Sequence, residues 1–243
     1  MLNHIHSLRR FDRGLLSLLV LFALASKTFT CALAFARRKP HHILLPSTLS
    51  SDEIHAKLMK FALEEAREAG KMGEVPIGAV ITRELPSSDG SRKFQIVSRG
   101  RNLVETRSDA SAHAELQAMR KAALSMKNWR LLNTTLYSTL EPCPMCLAAA
   151  QAFRCKSVVY GAPDLRLGAV KTHIKLLEMA KHPYHDIEAS GNVLEEESAT
   201  MMKDFFRERR KQNRKGQKLL GGEEKSMIRR ILQTLNPLGR SSQ

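Results

Sequence analysis

The chain has 243 residues, 43% of them hydrophobic, and this is enough for one buried core of ordinary domain size with residues left over at the ends. The formal net charge of +15 favours a polyanionic partner such as nucleic acid, although a basic targeting peptide would account for part of the same excess. Four cysteines are present, two of them spaced C-x-x-C, which argues against a disulfide framework and favours a metal site: Cys31, Cys143, Cys146 and Cys155.

Residues 1–50 are predicted to be a targeting sequence in two parts. Three arginines precede an apolar run over residues 15–25, and residues 32–34 read A-L-A, the form of a cleavage site, so residues 1–34 are predicted to be a signal peptide. An uncleaved anchor is the alternative, but the run is short for a membrane span. Residues 35–50 are basic, contain serine and threonine and have no acidic residue, which is typical of a transit peptide.

This tandem of segments resembles the bipartite presequences of algae with complex plastids. In those presequences the signal peptide is cut just before a phenylalanine, and here Phe35 follows Ala34 at the predicted cleavage site. The resemblance implies import into a plastid and a mature protein without a membrane segment. A mitochondrion and the secretory route are the alternatives, and the oxidising secretory route suits a thiolate metal site less well.

A folded domain is predicted over residues 51–212. Ser50 and Glu53 have the S-x-x-E spacing of a capping box, which predicts a helix that ends near Gly70. Two strands and the hairpin loop between them are predicted next, over residues 77–85, 94–99 and 86–90 respectively.

The rest of the domain continues to alternate between helices and strands. Ser111 is predicted to cap a helix that runs through Ala123, and a further helix opens near Cys143. Strands alternating with helices in this way imply an α/β layered domain. Residues 213–243 are predicted to be a basic, flexible tail. The remaining predicted elements are strands over 135–140 and 157–160, a loop over 161–168 and a long helix over 195–211.

Two short segments carry residues suited to metal-dependent hydrolysis. His113 lies in the sequence H-A-E, and Cys143 and Cys146 lie in P-C-P-M-C. Zn²⁺ favours nitrogen and sulfur ligands in a tetrahedron, and three protein ligands leave the fourth position for water. A C-x-x-C at the start of a helix brings both sulfurs to one metal, and the helix N-terminus stabilises their thiolates. The sequence therefore predicts a catalytic zinc site.

Glu115 is predicted to be the proton shuttle of this site. It lies two positions after His113, at the same end of the helix but on another side, so it borders the water instead of binding the metal. A carboxylate placed there takes the water proton, passes it to a ring nitrogen and later protonates the leaving amine. The alternative is a structural zinc or redox site, but the sequence has no second C-x-x-C, and Cys155 is expected to be a buried free thiol.

Seven short motifs occur in one order along the chain: E-V-P-I-G-A-V at 74–80, R-N at 101–102, A-H-A-E at 112–115, N-W-R-L at 128–131, T-L-E-P-C at 139–143, G-A-P-D at 161–164 and D-F-F-R-E-R-R at 204–210. In this order they resemble the bacterial-type tRNA adenosine deaminases of the cytidine and deoxycytidylate deaminase superfamily. The resemblance covers residues 52–212.

The resemblance implies a three-layer α/β/α sandwich, like that of cytidine deaminases, with a central mixed sheet of about five strands. It implies a homodimer with one Zn²⁺ per subunit. The resemblance further implies that the substrate is the anticodon stem-loop of an arginine tRNA with anticodon ACG, in which adenosine 34, at the wobble position, becomes inosine. It also implies two sets of contact residues: Asn102, Val75, Pro76, Ala114 and Asp164 for the substrate, and Phe206, Arg207, Arg209 and Arg210 for the RNA along the last helix.

Two other functions are compatible with these residues. Deaminases of free guanine, cytosine or dCMP share the zinc site, whereas the basic last helix favours RNA. A non-catalytic RNA-binding partner subunit would keep zinc but has no need of Glu115. On its own, Asn102 is better explained as a residue that stabilises a turn, and Asp164, which follows a proline in a turn, needs no functional explanation.

Overall fold

The computed structural model describes residues 41–46, 48–86, 91–179 and 185–235. The predicted signal peptide, residues 35–40 of the transit-like segment and residues 87–90 of the predicted hairpin loop lie outside these ranges. Within the described residues, no helix has both the length and the apolar character that crossing a membrane requires.

A six-stranded mixed sheet forms the centre of the fold. In chain order its strands are β1 (His41–Leu45), β2 (Gly78–Leu85), β3 (Arg92–Arg101), β4 (Thr134–Leu140), β5 (Ser157–Ala162) and β6 (Glu188–Ser190). The helices are α1 (Ser51–Lys71), α2 (Val104–Arg107), α3 (Ala114–Met126), α4 (Pro144–Ala152), a 3-10 turn (Leu176–Glu178) and α5 (Glu195–Leu235). The spatial order is β1-β3-β2-β4-β5-β6; β2 is antiparallel to β3 and β4, and β4, β5 and β6 are parallel.

Helices cover both faces of this sheet. Because side chains alternate along a strand, Val80 of β2 packs in the cluster formed with α1 and α5, whereas Ala79 and Ile81 pack in the cluster formed with α3 and α4. A close approach of α1 to β2 depends on Gly78, since a Cβ there would lie 2.1 Å from the carbonyl oxygen of Ala62. The prediction of a three-layer α/β/α sandwich is confirmed.

The predicted capping box forms at the start of α1. The N–H of Ser50 donates to Oε2 of Glu53 over 2.8 Å, and the N–H of Glu53 donates to Oγ of Ser50 over 3.3 Å. On the sheet-facing side of the helix, Leu58 and Leu63 are fully buried. The helix ends at Lys71, close to the predicted end.

The edge strand β1 was not anticipated, and the sheet has six strands instead of about five. Residues 41–45 fall in the segment that its composition assigns to a transit peptide, but Leu45 is buried and Ile43 packs against the cluster that α1 covers. Short apolar stretches are common to targeting segments and to edge strands, so composition does not separate them. Strand β1 therefore adds a sheet contact from residues that precede the predicted domain boundary at residue 51.

The prediction that Ser111 caps the second helix was wrong. Helix α3 begins at Ala114 with His113 at the N-cap position, and Ser111 instead donates from its N–H and its hydroxyl to Oδ1 of Asp109 over 2.8 and 2.7 Å. A carboxylate two residues away is a stronger local acceptor, and it closes a turn just before the helix. This turn places His113 at the start of α3.

The last helix extends further than predicted. Helix α5 has 41 residues and ends at Leu235, about 60 Å at 1.5 Å per residue, where a flexible tail from residue 213 was expected. The extension is rich in Lys, Arg, Gln, Glu and Leu, which favour helix and offset the three glycines within it. Near its start, Met201 packs against the cluster that contains Leu58 and Val80.

Candidate metal centre and active site

The predicted functional residues meet at one edge of the sheet. Strands β3, β4 and β5 run in the same direction, so their carboxyl ends lie together, and antiparallel β2 begins at the same edge. Asn102 follows β3, Glu141 follows β4, and Gly78 at the start of β2 lies opposite Arg101. Helices α3 and α4 also begin at this edge. The carboxyl edge of such a sheet is where α/β folds place their ligands.

The three predicted metal ligands are brought together by the starts of two helices. His113 occupies the N-cap of α3, and Cys143 the N-cap of α4, with Cys146 in the first turn of α4. Nδ1 of His113 lies 3.6 Å from Sγ of Cys143 and 3.5 Å from Sγ of Cys146, and all three ligand atoms lie within 4.8 Å of one another. The prediction that these residues converge is confirmed.

These separations fit a tetrahedral zinc ion. Zinc binds histidine nitrogen at about 2.0–2.1 Å and cysteine sulfur at about 2.3 Å, which in a tetrahedron sets nitrogen and sulfur about 3.6 Å apart. The two observed nitrogen to sulfur distances are 3.6 and 3.5 Å. Among the described residues, these three form the one group of His, Cys, Asp or Glu side chains close enough to hold a metal ion.

Cys143 supplies a thiolate that favours a cation at this site. The hydrogen bond that Cys146 donates and the one from His113 lower the pKa of Cys143 to about 4, although burial opposes this. The N-terminus of α4 adds further stabilisation of a thiolate there. The hydrogen bond to Cys143 raises the pKa of His113. The thiolate of Cys143, next to His113 and Cys146, is a ligand of the kind that Zn²⁺ binds.

Glu115 lies beside the three ligands, as predicted. It is the second residue of α3, its side chain is buried, and Oε1 accepts a hydrogen bond from the hydroxyl of Ser138 over 3.1 Å. Burial raises the pKa of Glu115. The charge of Cys143 also raises this pKa, whereas the charge of His113 lowers it. A carboxyl whose pKa is raised by burial is suited to general acid–base catalysis, because it gives up and takes back a proton more readily than an ordinary carboxylate does.

The predicted substrate residues lie along the same edge. Asn102 is buried, its N–H donates to the carbonyl of Ile77 over 3.0 Å, and Leu103 donates to the carbonyl of Ala112, the residue before His113. Val75 is half-buried and Pro76 is buried, in the turn that leads into β2. Ala114 is fully buried in the core, and its contact with substrate stays a prediction.

Asp164 has a local structural role in its loop. Its Oδ1 accepts hydrogen bonds from the N–H groups of Arg166 and Leu167 over 2.9 and 3.3 Å, the arrangement of a turn. The alternative interpretation of this residue, a turn former, is therefore realised in the structure. Its contact with substrate stays a prediction.

A buried carboxylate at this edge that the sequence interpretation missed is Glu141. Its carboxylate is 2% exposed and accepts hydrogen bonds from several N–H groups of the loop that follows β5. Burial opposes its ionisation, but these hydrogen bonds, led by that of Lys171, lower its pKa. Gly168 is required beside it, since a Cβ there would lie 2.4 Å from Oε2 of Glu141. The donors are the N–H groups of Asp164, Val170, Lys171 and Thr172 at 3.1, 3.0, 2.8 and 3.1 Å, and the hydroxyl of Thr172.

The predicted RNA-contact residues lie on an exposed stretch of α5 beside the substrate edge. Phe206 is 39% exposed, and Arg207 pairs with Asp204 over 2.7 Å. Arg209 donates to the carbonyl of Gly73 over 3.5 Å, next to the turn of Val75 and Pro76. Arg210 is also exposed.

Cys155 is a buried free thiol, as predicted. It has no exposed surface, and burial raises its pKa to about 11. It is not one of the residues that converge at the metal centre.

Comparison with known proteins first defines the class. The family model for the cytidine and deoxycytidylate deaminase zinc-binding region matches residues 52–162, the span that contains His113, Glu115, Cys143 and Cys146. Together with the three-layer fold, this match defines a zinc-binding deaminase of the cytidine deaminase type.

Relatives define the family within this class. The tRNA-specific adenosine deaminase of Haemophilus influenzae is 40% identical over 67% of this chain and 88% of the relative, and that of Bacillus subtilis is 40% identical over 71% and 99%. The chloroplastic tRNA(adenine(34)) deaminase of Arabidopsis thaliana is 40% identical over 64% of this chain but only 12% of that protein. A solved structure from work on A-to-I editing by tRNA:A34 deaminases is 36% identical, with a TM-score of 0.52 over 60% of this chain and 98% of the other. The chain belongs to the family of tRNA-specific adenosine deaminases.

Proposed function

We propose that this protein hydrolyses the 6-amino group of adenosine at wobble position 34 of a tRNA, giving inosine, and that an arginine tRNA with anticodon ACG is its substrate. The observation that carries the proposal is the buried carboxyl of Glu115 beside the group of His113, Cys143 and Cys146. This pairing of a three-ligand metal centre with a free carboxyl suits hydrolysis, whereas a structural zinc site has four protein ligands and needs no acid.

His113, Cys143 and Cys146 would hold one Zn²⁺ per subunit, which when bound lowers the pKa of a water towards about 7. Glu115 removes a proton from the attacking water and delivers it to N1 of the purine as the C6–O bond forms. Glu115 then takes the remaining proton from the new C6 hydroxyl and delivers it to the amino group, so the C6–N bond breaks and ammonia leaves while inosine keeps the oxygen as a C6 carbonyl. The hydroxyl of Ser138 holds the Glu115 carboxyl in place through these transfers.

The base would enter the site beside Asn102. An adenine inside a stacked anticodon loop is out of reach of a buried carboxyl, so the nucleotide has to be turned out of the stack. Val75 and Pro76 supply an apolar wall for the ring, the amide of Asn102 bonds its edge, and Ala114 and the loop of Asp164 border the neighbouring positions.

The exposed face of α5 would bind RNA phosphates. Arg209 lies against Gly73, which precedes the turn of Val75 and Pro76, so the basic face of the helix borders the position proposed for the base. Phe206, Arg207 and Arg210 lie on the same stretch. If phosphates dominate this contact, Arg207→Ala combined with Arg210→Ala raises KM for the stem-loop and reduces the dependence of binding on salt. An unchanged salt dependence would contradict the RNA-binding role of this face.

The cellular setting of the proposal is a plastid, and the assembly is a homodimer. Plastid import rests on the presequence pattern of residues 1–50 and on the chloroplastic relative in Arabidopsis thaliana. Fusing residues 1–50 to a fluorescent protein tests the destination. Light scattering on the purified protein tests the assembly, with a mass of two chains expected.

Sequencing of a transcript tests the reaction. The protein from residue 41 onward is incubated with an ACG anticodon stem-loop, and in parallel with free guanine, cytosine and dCMP. Inosine at position 34 with no release of ammonia from the small molecules is the expected result. Ammonia from a free base, with the stem-loop unchanged, would replace the proposal by a small-molecule deaminase. A zinc-loaded protein inactive on all four substrates would favour an RNA-binding partner subunit.

A further inference from the structure

Glu74 is a buried carboxylate that the mechanism above does not use. Its side chain is 1% exposed, and it lies in the turn between α1 and β2, directly before Val75 and Pro76. Among the described residues it has no cation as a hydrogen-bond partner. Its hydrogen-bond donors are the side-chain amide of Asn102, the N–H groups of Glu105 and Thr106 and the hydroxyl of Thr106, all from the segment that follows β3.

The donors to Glu74 come from three successive parts of that segment. The side-chain Nδ2 of Asn102 donates to Oε2 over 3.1 Å, the N–H of Glu105 donates to the same oxygen over 3.3 Å, and the N–H of Thr106 donates to Oε1 over 2.6 Å. Burial opposes ionisation, but these hydrogen bonds, led by that of Thr106, lower the pKa of Glu74. Glu74 is therefore an ionised acceptor on both of its oxygens.

Two of these bonds cap helix α2. Its N-cap residue Leu103 has no side chain able to accept a hydrogen bond, so the N–H groups at the start of the helix need an outside acceptor. Glu74 provides it for Glu105 and Thr106. Because Leu103 also donates to the carbonyl of Ala112, the capped segment is tied to the residue before the ligand His113.

The third bond fixes the orientation of the Asn102 amide. An ionised carboxylate only accepts hydrogen bonds, so the amide nitrogen, and not its oxygen, has to face Oε2 of Glu74. A flipped amide would place two oxygens 3.1 Å apart without a proton between them. The oxygen and the second N–H of Asn102 are then presented in one arrangement to whatever lies on the other side.

We propose that Glu74 is a positioning residue for the deaminase reaction: it does not touch the substrate, but it fixes the Asn102 amide in the one orientation that bonds the purine edge. This inference rests on the proposed function, because Asn102 is there assigned the contact with the base. Without Glu74, the amide samples two orientations, one of which sets donor against donor and acceptor against acceptor on the base.

A double-mutant cycle tests this role. Glu74→Gln, Asn102→Ala and the double variant are compared with the wild type for kcat/KM on the ACG stem-loop. Glu74→Gln alone is expected to lower kcat/KM about 10- to 100-fold, the value of one charge-assisted hydrogen bond. In the Asn102→Ala background the same change is expected to have no further effect, because the group that Glu74 orients is gone.

Glu141→Gln is the matched control. Glu141 is also a buried carboxylate that collects backbone N–H groups at this edge, but it has no bond to Asn102. In a double variant of Glu141→Gln and Asn102→Ala, the two reductions in kcat/KM are expected to multiply, because the two residues are not bonded to each other. Thermal unfolding is measured for every variant, and Glu74→Asp, which keeps the charge, replaces Glu74→Gln if the latter does not fold.

The outcomes separate this inference from the proposed function. If the wild type does not convert the stem-loop, the proposed function fails and this inference fails with it. If the wild type converts the stem-loop, and Glu74→Gln costs as much with Asn102→Ala as without it, Glu74 is a structural cap only. That result would overturn the inference and leave the proposed function standing.

Discussion

Three buried carboxylates at one edge of the sheet differ from an ion-paired carboxylate at the other. At the edge where β3, β4 and β5 end, Glu74, Glu115 and Glu141 are each at most 4% exposed, and hydroxyl, amide and backbone N–H groups satisfy them. At the opposite edge a cavity of about 250 Å³ is lined mostly by polar residues, and one of its carboxylates, Glu84, forms a partly exposed ion pair with Arg92.

This difference shows at which edge the fold tolerates the free-energy cost of buried carboxylates. A buried carboxylate without a cation is costly, so it persists where its hydrogen bonds hold a loop or where its proton is used. An exposed ion pair across two strands costs little and contributes little. Substitutions at the two edges should therefore differ in both size and kind.

Removing a metal ligand is expected to have the largest effect. Cys143→Ser takes away a thiolate from the three-ligand group, so zinc content, measured by elemental analysis, is expected to fall well below one ion per chain and inosine formation to be lost. Cys155→Ala is the matched control, since that thiol lies outside the ligand group. Equal loss of zinc from both variants would contradict the assignment.

Glu141→Gln is expected to lower the free energy of unfolding by about 1–3 kcal/mol, because a buried acceptor for several N–H groups becomes partly a donor. The hydrogen bonds depress the folded pKa of Glu141, so the stability they provide is present above the unfolded pKa of about 4.3 and is lost as the pH falls through the folded value. Urea unfolding at several pH values should show the gap between variant and wild type closing in acid.

The ion pair at the opposite edge gives the contrasting result. Glu84→Gln disrupts a pair in which the side chains are 48% and 36% exposed, and the expected loss is below about 1 kcal/mol and smaller still at high salt. The same urea experiment measures it. A loss as large as that of Glu141→Gln would remove the contrast between the two edges.

A smaller, pH-dependent effect is expected at His55. This half-buried ring lies 2.8 Å from the hydroxyl of Tyr137, and burial lowers its pKa. The unfolded chain therefore binds the proton first, so wild-type stability falls as the pH drops below about 6.5 towards the folded pKa. His55→Gln lacks this contribution, and its stability is expected to fall less steeply between pH 7 and 5.

The metal centre was predictable because its signal is local. His113, Glu115, Cys143 and Cys146 are residue types with few other uses in this spacing, and helix starts place them with little help from the rest of the chain. The alternation of helices and strands likewise predicted an α/β layered domain, and the family resemblance predicted its three layers.

The hydrogen bonds of the buried carboxylates Glu74 and Glu141 were not predictable in the same way. Glu74 bonds residues 28 to 32 positions away, and Glu141 bonds residues 23 to 31 positions away, mostly through backbone N–H groups that every residue carries. No side-chain pattern marks such partners. A glutamate directly before a conformationally restricted segment, as in E-V-P and E-P-C, was the available hint.

Glu115→Gln tests the central claim most directly, because it keeps the shape of the side chain and leaves the three ligands intact. Inosine at position 34 of the ACG stem-loop and zinc per chain are measured on the same preparations of variant and wild type. The expected result is a rate about 10²- to 10⁴-fold lower with zinc content unchanged. A zinc-loaded variant that retains a rate within a few-fold of wild type would contradict the role of Glu115 as the proton shuttle.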